Sequence, residues 1–256
     1  MKLRWKISFF LATVFWICAC QTVYQSQRLE YATYKINNAL SKDSSLLQLV
    51  QPYADSVHMR MNRVIAVSAI TLDRQQPEGT LGNLVADAIF YEGQQQLKTK
   101  IDGAVMNSGG IRLNTLAAGD ITLGKVFELA PFDNTLVLMT VPGKVMQELC
   151  DHISTLGGWP VSHISWQIKE LPGGQGGKKA INVLIDGKAL DVNSNYKILT
   201  NDYVANGGDY CEMLRSLPQQ TNGYLLRDAL IDYFTGFTKA GKKISSQIEN
   251  RVSNAN

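Results

Sequence analysis

The sequence is best understood from Ala104-Val105-Met106-Asn107-Ser108-Gly109-Gly110-Ile111-Arg112. Its apolar start predicts a short buried strand. The following Asn107, Gly109 and Gly110 predict a tight turn at which a ligand can approach the backbone closely. Arg112 adds a planar guanidinium that suits phosphate or carboxylate. The stretch by itself fits two structures, an anion pocket or an ordinary Gly-Gly turn whose arginine lies in solvent.

Three further stretches carry related signals. Leu81-Gly82-Asn83-Leu84-Val85-Ala86-Asp87 opens a helical pattern, and Pro131-Phe132-Asp133-Asn134 lies between a helical pattern and a β-branched run. Asn201-Asp202-Tyr203-Val204-Ala205-Asn206-Gly207-Gly208-Asp209-Tyr210 places a strand end against a second Gly-Gly turn, with an aromatic before it and a carboxylate after it. In this order and spacing, the four stretches resemble the C-terminal, nucleotide-binding domain of the 5′-nucleotidase / UDP-sugar hydrolase / 2′,3′-cyclic phosphodiesterase family. The resemblance runs from about Val64 to the end of the chain.

The resemblance implies that two aromatic side chains, Phe132 and Tyr203, sandwich a nucleotide base. Base stacking needs only an aromatic face, so a tyrosine can replace the phenylalanine that is common in the family. Asp209 matches the family residue that accepts hydrogen bonds from the ribose diol, a role that suits a carboxylate. From the residues alone, each aromatic also fits a core position, and Asp209 also fits a cap for the turn Gly207-Gly208.

Phosphate is expected to bind Arg112, together with Asn107 and backbone N–H groups of the turn. Asn134 resembles a family residue near the edge of the base. Some family members have further arginines before the Leu-Gly-Asn motif, but Arg74 is out of register with them, so a second phosphate-binding arginine is not predicted. The predicted substrate-binding residues are Asn107, Gly109, Gly110, Arg112, Phe132, Asn134, Tyr203, Gly207, Gly208 and Asp209.

Strand and helix patterns interleave irregularly, with hairpin-like pairs, which predicts an α+β fold of mixed β-sheets covered by helices. The resemblance implies that this fold is 5′-nucleotidase C-terminal-domain-like and that it occupies residues 61–251. Before it, Pro52 is predicted to end a helical stretch within Leu29 to Val50. That stretch is either the counterpart of the family's linker helix or an isolated amphipathic helix packed on the domain. The tail from about Ser253 is predicted to be disordered.

The first residues have the pattern of a targeting segment. Basic residues precede an apolar run, Ile7 to Ile17, that is too short to span a bilayer. Ile17-Cys18-Ala19-Cys20 resembles a bacterial lipobox, which implies a lipoprotein signal peptide at residues 1–19 and acylation of Cys20. Residues 20–60 are then expected to form a tether and linker helix, and the protein is expected to be exported and lipid-anchored, in the periplasm or at the cell surface. The alternative is a plain secretory signal cleaved nearby.

The net charge and the cysteines bear on the kind of partner and on disulfide formation. The net charge of +3, without a conspicuous lysine or arginine cluster, does not indicate a nucleic-acid partner. Cys150 and Cys211 follow the leader, and the sequence allows either a disulfide or two buried thiols.

Hydrolysis in full-length family members uses a two-metal site on an N-terminal metallophosphoesterase domain. The three histidines, His58, His152 and His163, do not lie in motifs that would form such a site. No metal-binding or catalytic residue is therefore predicted in this chain, and the divalent metals are expected on a separate metallophosphoesterase chain.

Three functions are compatible with this sequence. The first is the nucleotide- or nucleoside-recognition subunit of a split 5′-nucleotidase that acts with a separate metallophosphoesterase chain. The second is a non-catalytic lipoprotein that binds nucleosides or nucleotides. The third is a structural lipoprotein whose binding site has decayed.

Overall fold

A computed structural model describes residues 32–35, 37, 40–172 and 177–255. The predicted signal peptide, the lipidation site at Cys20 and the first part of the predicted tether lie outside the described residues. The chain divides between residues 49 and 50 into two units. In the first unit, the Asp43 carboxylate accepts hydrogen bonds from the backbone N–H groups of Ser45 and Leu46, which begins the first helix and lowers the pKa of Asp43. None of the helices in the described part of the chain is long and apolar enough to cross a membrane.

The helices are α1 Ser44–Met61, α2 Thr80–Leu97, α3 Leu123–Leu129, α4 Gly143–Thr155, α5 Asp202–Ala205 and α6 Leu226–Lys239. The strands are β1 Val64–Ser68, β2 Leu72–Asp73, β3 Gly103–Val105, β4 Thr115–Leu116, β5 Gly119–Thr122, β6 Leu136–Pro142, β7 Val161–Ser162, β8 Ile164–Glu170, β9 Lys178–Ile185, β10 Lys188–Ala189, β11 Asn195–Asn201, β12 Gln219–Gln220 and β13 Val252–Asn254. Short 3₁₀ turns occupy Ser108–Gly110, Gly208–Tyr210 and Glu212–Leu214.

The central sheet has five strands in the order β12-β6-β11-β3-β7. Strands β11 and β3 are parallel, whereas the other neighbouring pairs are antiparallel. A second sheet has the order β10-β9-β8-β13, and two-stranded pairs join β1 to β5 and β2 to β4. The predicted α+β class with mixed sheets is confirmed.

Alternate side chains of the central sheet enter two hydrophobic clusters, as the two-residue period of a strand requires. On β6, Leu138 packs in the cluster that contains Phe234 of helix α6. Its neighbour Met139 packs in the cluster that contains Met146 of helix α4 and Trp166 of strand β8. The central sheet is therefore covered on both faces, and its strand ends are left to form the site.

Three turns meet at one edge of this sheet because of the strand directions. The parallel strands β3 and β11 end at the same edge, which brings Asn107 near Tyr203. Strand β6 is antiparallel to β11 and begins at that edge, so Phe132 and Asn134, which precede it, lie there too. A backbone hydrogen bond from the Asp202 N–H to the Thr135 carbonyl joins two of the turns.

Two predictions at the ends of the domain are wrong. Pro52 does not end its helix, because α1 continues through it to Met61. Proline keeps a helical φ but removes one backbone hydrogen bond. Since none of the residues of this helix is buried, water can bind the carbonyl group that loses its partner. The tail is also ordered: β13 pairs with β8 in parallel, with Val252 opposite Trp166 and 2% exposed. Residues 252–254 are therefore ordered as a strand of the second sheet.

Cys150 and Cys211 are free and buried, in the hydrophobic cluster of helix α4. Burial raises the pKa of both thiols, that of Cys211 to about 12. The structure therefore matches the alternative of two buried thiols that act as small apolar side chains.

Candidate functional site

The three turns enclose a pocket of about 360 Å³. Its walls are formed by eight of the predicted residues, Asn107, Gly109, Gly110, Arg112, Phe132, Asn134, Tyr203 and Asp209. The remaining two, Gly207 and Gly208, line an adjoining hollow of about 410 Å³ that shares Asn134 and Tyr203 with the pocket. The structure thus brings the predicted residues together, and their binding roles stay predictions.

Asp209 is held in place by both its side chain and its backbone. Asn107 Nδ2 donates to one carboxylate oxygen at 2.8 Å, and the Tyr203 hydroxyl donates to the other at 3.0 Å. The Asp209 backbone is left-handed, with φ of 51°, and His152 Nε2 lies 2.7 Å from its carbonyl oxygen. This conformation is strained for most residues, and aspartate adopts it more readily than most. Each carboxylate oxygen still has a free lone pair for a ligand.

Gly208 is required by the close approach of the Tyr203 ring. A Cβ atom on Gly208 would lie 2.5 Å from that ring. The preceding Gly207 has a φ of 89°, which glycine adopts at little cost. The Gly-Gly turn therefore lets the tyrosine fold over the backbone and reach the carboxylate of Asp209.

Two buried asparagines connect the turns. Asn201 Nδ2 donates to Asn107 Oδ1 at 3.0 Å, while Asn201 Oδ1 accepts from the Val204 N–H at 2.9 Å and caps α5. Asn107 is 3% exposed and Asn201 is fully buried. Because its oxygen accepts from Asn201, the Asn107 amide must donate to Asp209. The structure thus places the Asn107 side chain on the carboxylate, whereas the sequence leads us to expect it beside a phosphate.

Phe132 and Tyr203 are each 48% exposed, so neither ring is a core side chain. The Arg112 Cζ atom lies 5.7 Å from the centre of the Phe132 ring, within the range of a cation–π contact. The polar contact of Arg112 is long, 3.4 Å from its guanidinium to the Gly109 carbonyl oxygen. Exposed rings and a loosely held guanidinium are thus available to a ligand in the pocket.

Arg227 of helix α6 holds the loop that carries Phe132. The buried Arg227 guanidinium donates to the carbonyl oxygens of Ala130 and Pro131 at 3.3 and 3.2 Å, and it forms an ion pair with Asp133. It also lies over the Phe127 ring, 4.3 Å from its centre. Arg227 is not among the residues predicted from the sequence. A charged residue on the buried face of a helix nevertheless indicates that the charge has a partner inside the protein.

Replacing Arg227 with Met is expected to lower the free energy of unfolding by about 2 kcal/mol, because the loop carbonyls lose a charged donor while most of the apolar contact remains. Denaturant unfolding measures this change. Arg227→Lys, which keeps the charge but not the planar fork, should recover only part of the loss. An unchanged unfolding midpoint for Arg227→Met would show that the loop does not depend on this side chain.

Arg74 supports the first turn in a similar way. Its guanidinium donates to the carbonyl oxygens of Ser108 and Ile111 and to Asn114 Oδ1. Because these partners flank Gly109, Gly110 and Arg112 in the chain, Arg74 orders the backbone that presents Arg112. The sequence suggests Arg74 only as a phosphate ligand that is out of register, and this supporting role is not predicted from it.

The described residues contain no group of three or more His, Cys, Asp or Glu side chains that could hold a metal ion. His152 contacts the Asp209 backbone, and the His163 ring stacks on Phe90 with centroids 3.8 Å apart. These two histidines therefore have structural contacts in this part of the chain.

The structure defines an α+β domain with a pocket among the turns at one edge of its central sheet. Residues 60–216 match the family described as 5′-nucleotidase, C-terminal domain. The chain belongs to this family, and the fold expected from the resemblance is confirmed.

The chain is similar to several larger proteins. It is 25% identical over 248 residues to the trifunctional nucleotide phosphoesterase protein YfkN of Bacillus subtilis, a match that covers 90% of this chain and 16% of that protein. It is 28% identical over 216 residues to a 5′-nucleotidase of Vibrio parahaemolyticus, covering 82% and 36%. The crystal structure of a 5′-nucleotidase precursor from Thermus thermophilus superposes with a TM-score of 0.68 at 26% identity, covering 82% of this chain and 43% of that chain. The chain thus spans less than half of each of these relatives.

Proposed function

We propose that this chain recognises a nucleoside or nucleotide and positions its phosphoester for hydrolysis by metals on a separate metallophosphoesterase chain. The observation that supports this function best is the state of Asp209. Its carboxylate is oriented by Asn107 and Tyr203 yet keeps a free lone pair on each oxygen, at the wall of a pocket with exposed aromatic rings. A ribose diol offers two adjacent hydroxyl donors that suit such a carboxylate.

The other pocket residues fit the remaining parts of a nucleotide. The base would stack on Phe132 and Tyr203, whose rings are half exposed. Asn134, which lies in the same pocket wall as both rings, would face the base edge. Arg112 would bind the phosphate. Fixing three parts of one ligand restricts its orientation, which is how a binding domain accelerates a reaction whose chemistry occurs elsewhere.

The divalent metals and the attacking water would belong to the partner chain in this proposal, and the residues described here would bind and orient. The lipobox resemblance at Cys20 makes an exported, lipid-anchored location part of the same proposal. Labelling cells with a fatty-acid analogue checks it, and a protein that remains unlabelled would contradict the anchor.

Mixing the purified chain with an exported metallophosphoesterase that lacks its own nucleotide-binding domain tests the division of labour. With AMP and Mn²⁺, the mixture is expected to have a kcat/KM at least about tenfold above that of the metallophosphoesterase alone, because positioning supplies part of the barrier reduction. The Arg60→Ala variant, in which the replaced arginine lines neither the pocket nor the adjoining hollow, is the matched control.

No gain in rate would refute the split enzyme. If the chain nevertheless binds adenosine in calorimetry, the alternative of a non-catalytic nucleoside- or nucleotide-binding lipoprotein would replace it. If it binds neither adenosine nor AMP, nucleotide recognition itself would be wrong.

A further inference from the structure

We infer that helix α1 joins two copies of this chain in an antiparallel pair. None of the residues of α1, Ser44–Met61, is buried, although the helix contains several large apolar side chains. An isolated helix of this length is marginal in water, and most helices are stabilised by the packing of an apolar face. We therefore expect a second surface to cover α1. The residues that line the pocket and the adjoining hollow lie on other elements, so the inference is independent of the proposed function.

The apolar side chains of α1 form a stripe along one face of the helix. Four of them follow one another at intervals of four, three and four residues, the spacing of a coiled-coil seam: Leu46, Val50, Tyr53 and Val57. Their exposed fractions lie between 48 and 73%, so each of them still faces solvent. The opposite face carries polar side chains, and there Gln51 Nε2 donates to Asp55 Oδ1 at 2.7 Å. The helix is therefore amphipathic, and its apolar face is open.

The stripe is complementary to a reversed copy of itself. A two-fold axis that passes between Gln51 and Pro52 brings Leu46 against the partner's Val57 and Val50 against the partner's Tyr53. In a two-fold contact, a pair between residues i and j is repeated as a pair between j and i, so these two pairs account for the whole stripe of both copies. A second copy therefore covers all four apolar side chains at once.

The charges at the two ends of the stripe fit the same register. It places Asp43, which directly precedes α1, opposite the partner's Arg60. Asp43 Oδ1 accepts both capping hydrogen bonds, so Oδ2 is left to accept from a guanidinium. Arg60 has no ion pair with any residue that the structure describes. A parallel pair would instead place like charges opposite each other at both ends, which favours the antiparallel arrangement.

A membrane surface fits α1 less well than a second copy does. Helices that lie on membranes are rich in lysine and arginine on their polar face. The polar face of α1 carries Gln48, Gln51 and the carboxylate of Asp55. A different protein partner would not require the stripe to match its own reverse. The observations therefore favour a second copy as the occupant.

Sedimentation velocity of the purified chain, over a series of concentrations, tests the pair. The chain is expected to change from monomer to dimer between about 1 and 100 μM, because a single pair of helices is a small interface. Val50→Glu places a charge in the seam and should raise the dimer Kd at least about tenfold. The matched control is Gln48→Glu, which adds the same charge to the polar face and should change Kd less than about twofold. Because both side chains are exposed in one copy, the two variants should unfold at the same denaturant concentration when dilute.

Asp43→Asn tests the direction of the pair. Asparagine keeps the helix cap but lacks the charge, so an antiparallel dimer should weaken about threefold. A parallel dimer would become tighter, because a repulsion between like charges would be removed, and that result would overturn the antiparallel register.

Three other results would overturn the pair itself. One is a chain that remains a monomer at about 100 μM. Another is an equal loss of association in Val50→Glu and Gln48→Glu, which would show that the seam is not the contact. The third is a monomeric chain that binds vesicles of phosphatidylglycerol and phosphatidylethanolamine, or a metallophosphoesterase, and loses this binding in Val50→Glu alone. The vesicles or the other protein would then be the occupant of the apolar face.

Discussion

Replacing Asp209 with Ala is expected to weaken adenosine binding about 100-fold, because two hydrogen bonds from the diol to a charged acceptor are lost together. The loss should be large because the native carboxylate is already oriented. Asn107 and Tyr203 hold its oxygens at 2.8 and 3.0 Å, and the His152 ring holds its carbonyl. Binding therefore requires no reorganisation of this side chain, and calorimetry reports the loss directly.

The matched control separates the effect of losing the carboxylate charge from the effect of disturbing the turn. Asp209→Asn suits the left-handed backbone, with its φ of 51°, as well as aspartate does, but it lacks the charge. It should keep the stability of the native protein and still lose much of the affinity. A second ligand sharpens the test: the native chain should prefer adenosine to 2′-deoxyadenosine, and Asp209→Ala should not. If Asp209→Ala binds both as the native chain does, Asp209 only caps its turn.

The pocket residues could be found from the sequence because each lies in a short local pattern. An apolar strand followed by Asn107 or by Tyr203, with a Gly-Gly turn nearby, predicts a strand end with an accessible backbone. The irregular order of strand and helix patterns likewise predicts the α+β class. In both cases, residues that are close together in the sequence are sufficient to predict the structural feature.

The supports of the pocket depend on distant contacts, and local patterns do not reveal these. Nothing beside His152 in the sequence indicates that its ring reaches the backbone of Asp209. Arg227 has a weak signal, a charge on the helix face that also carries Leu230 and Phe234. The order of the tail likewise depends on a distant contact, since β13 is held by its pairing with β8, and local sequence does not predict it.

Asn201 is a buried residue that connects two of the turns. The hydrogen bonds of its side-chain amide join Asn107 to helix α5, and the side chain is fully buried. In Asn201→Ala, the Asn107 oxygen and the Val204 N–H both lose their partner in a buried site. Because unsatisfied buried polar groups are costly, we expect the free energy of unfolding to fall by about 3 kcal/mol.

The neighbouring Thr200 offers a control with the opposite expectation. Thr200 is 2% exposed, and its hydroxyl oxygen is buried without a hydrogen-bond partner among the described residues. Thr200→Val removes this hydroxyl at nearly constant volume, so it should leave stability unchanged or raise it slightly. Denaturant unfolding of both variants isolates the hydrogen bonds of Asn201 from the general effect of altering β11. Equal losses in the two variants would mean that β11 is merely sensitive to substitution.

Asn201→Ala should also weaken adenosine binding at temperatures where the variant is still folded. Without the Asn201 donor, the Asn107 amide oxygen is left unpaired, so the side chain can rotate towards another donor and away from the Asp209 carboxylate. The carboxylate then loses the 2.8 Å bond that orients it towards the pocket. A variant that is destabilised but binds adenosine with native affinity would show that Asn201 stabilises the fold without positioning Asp209.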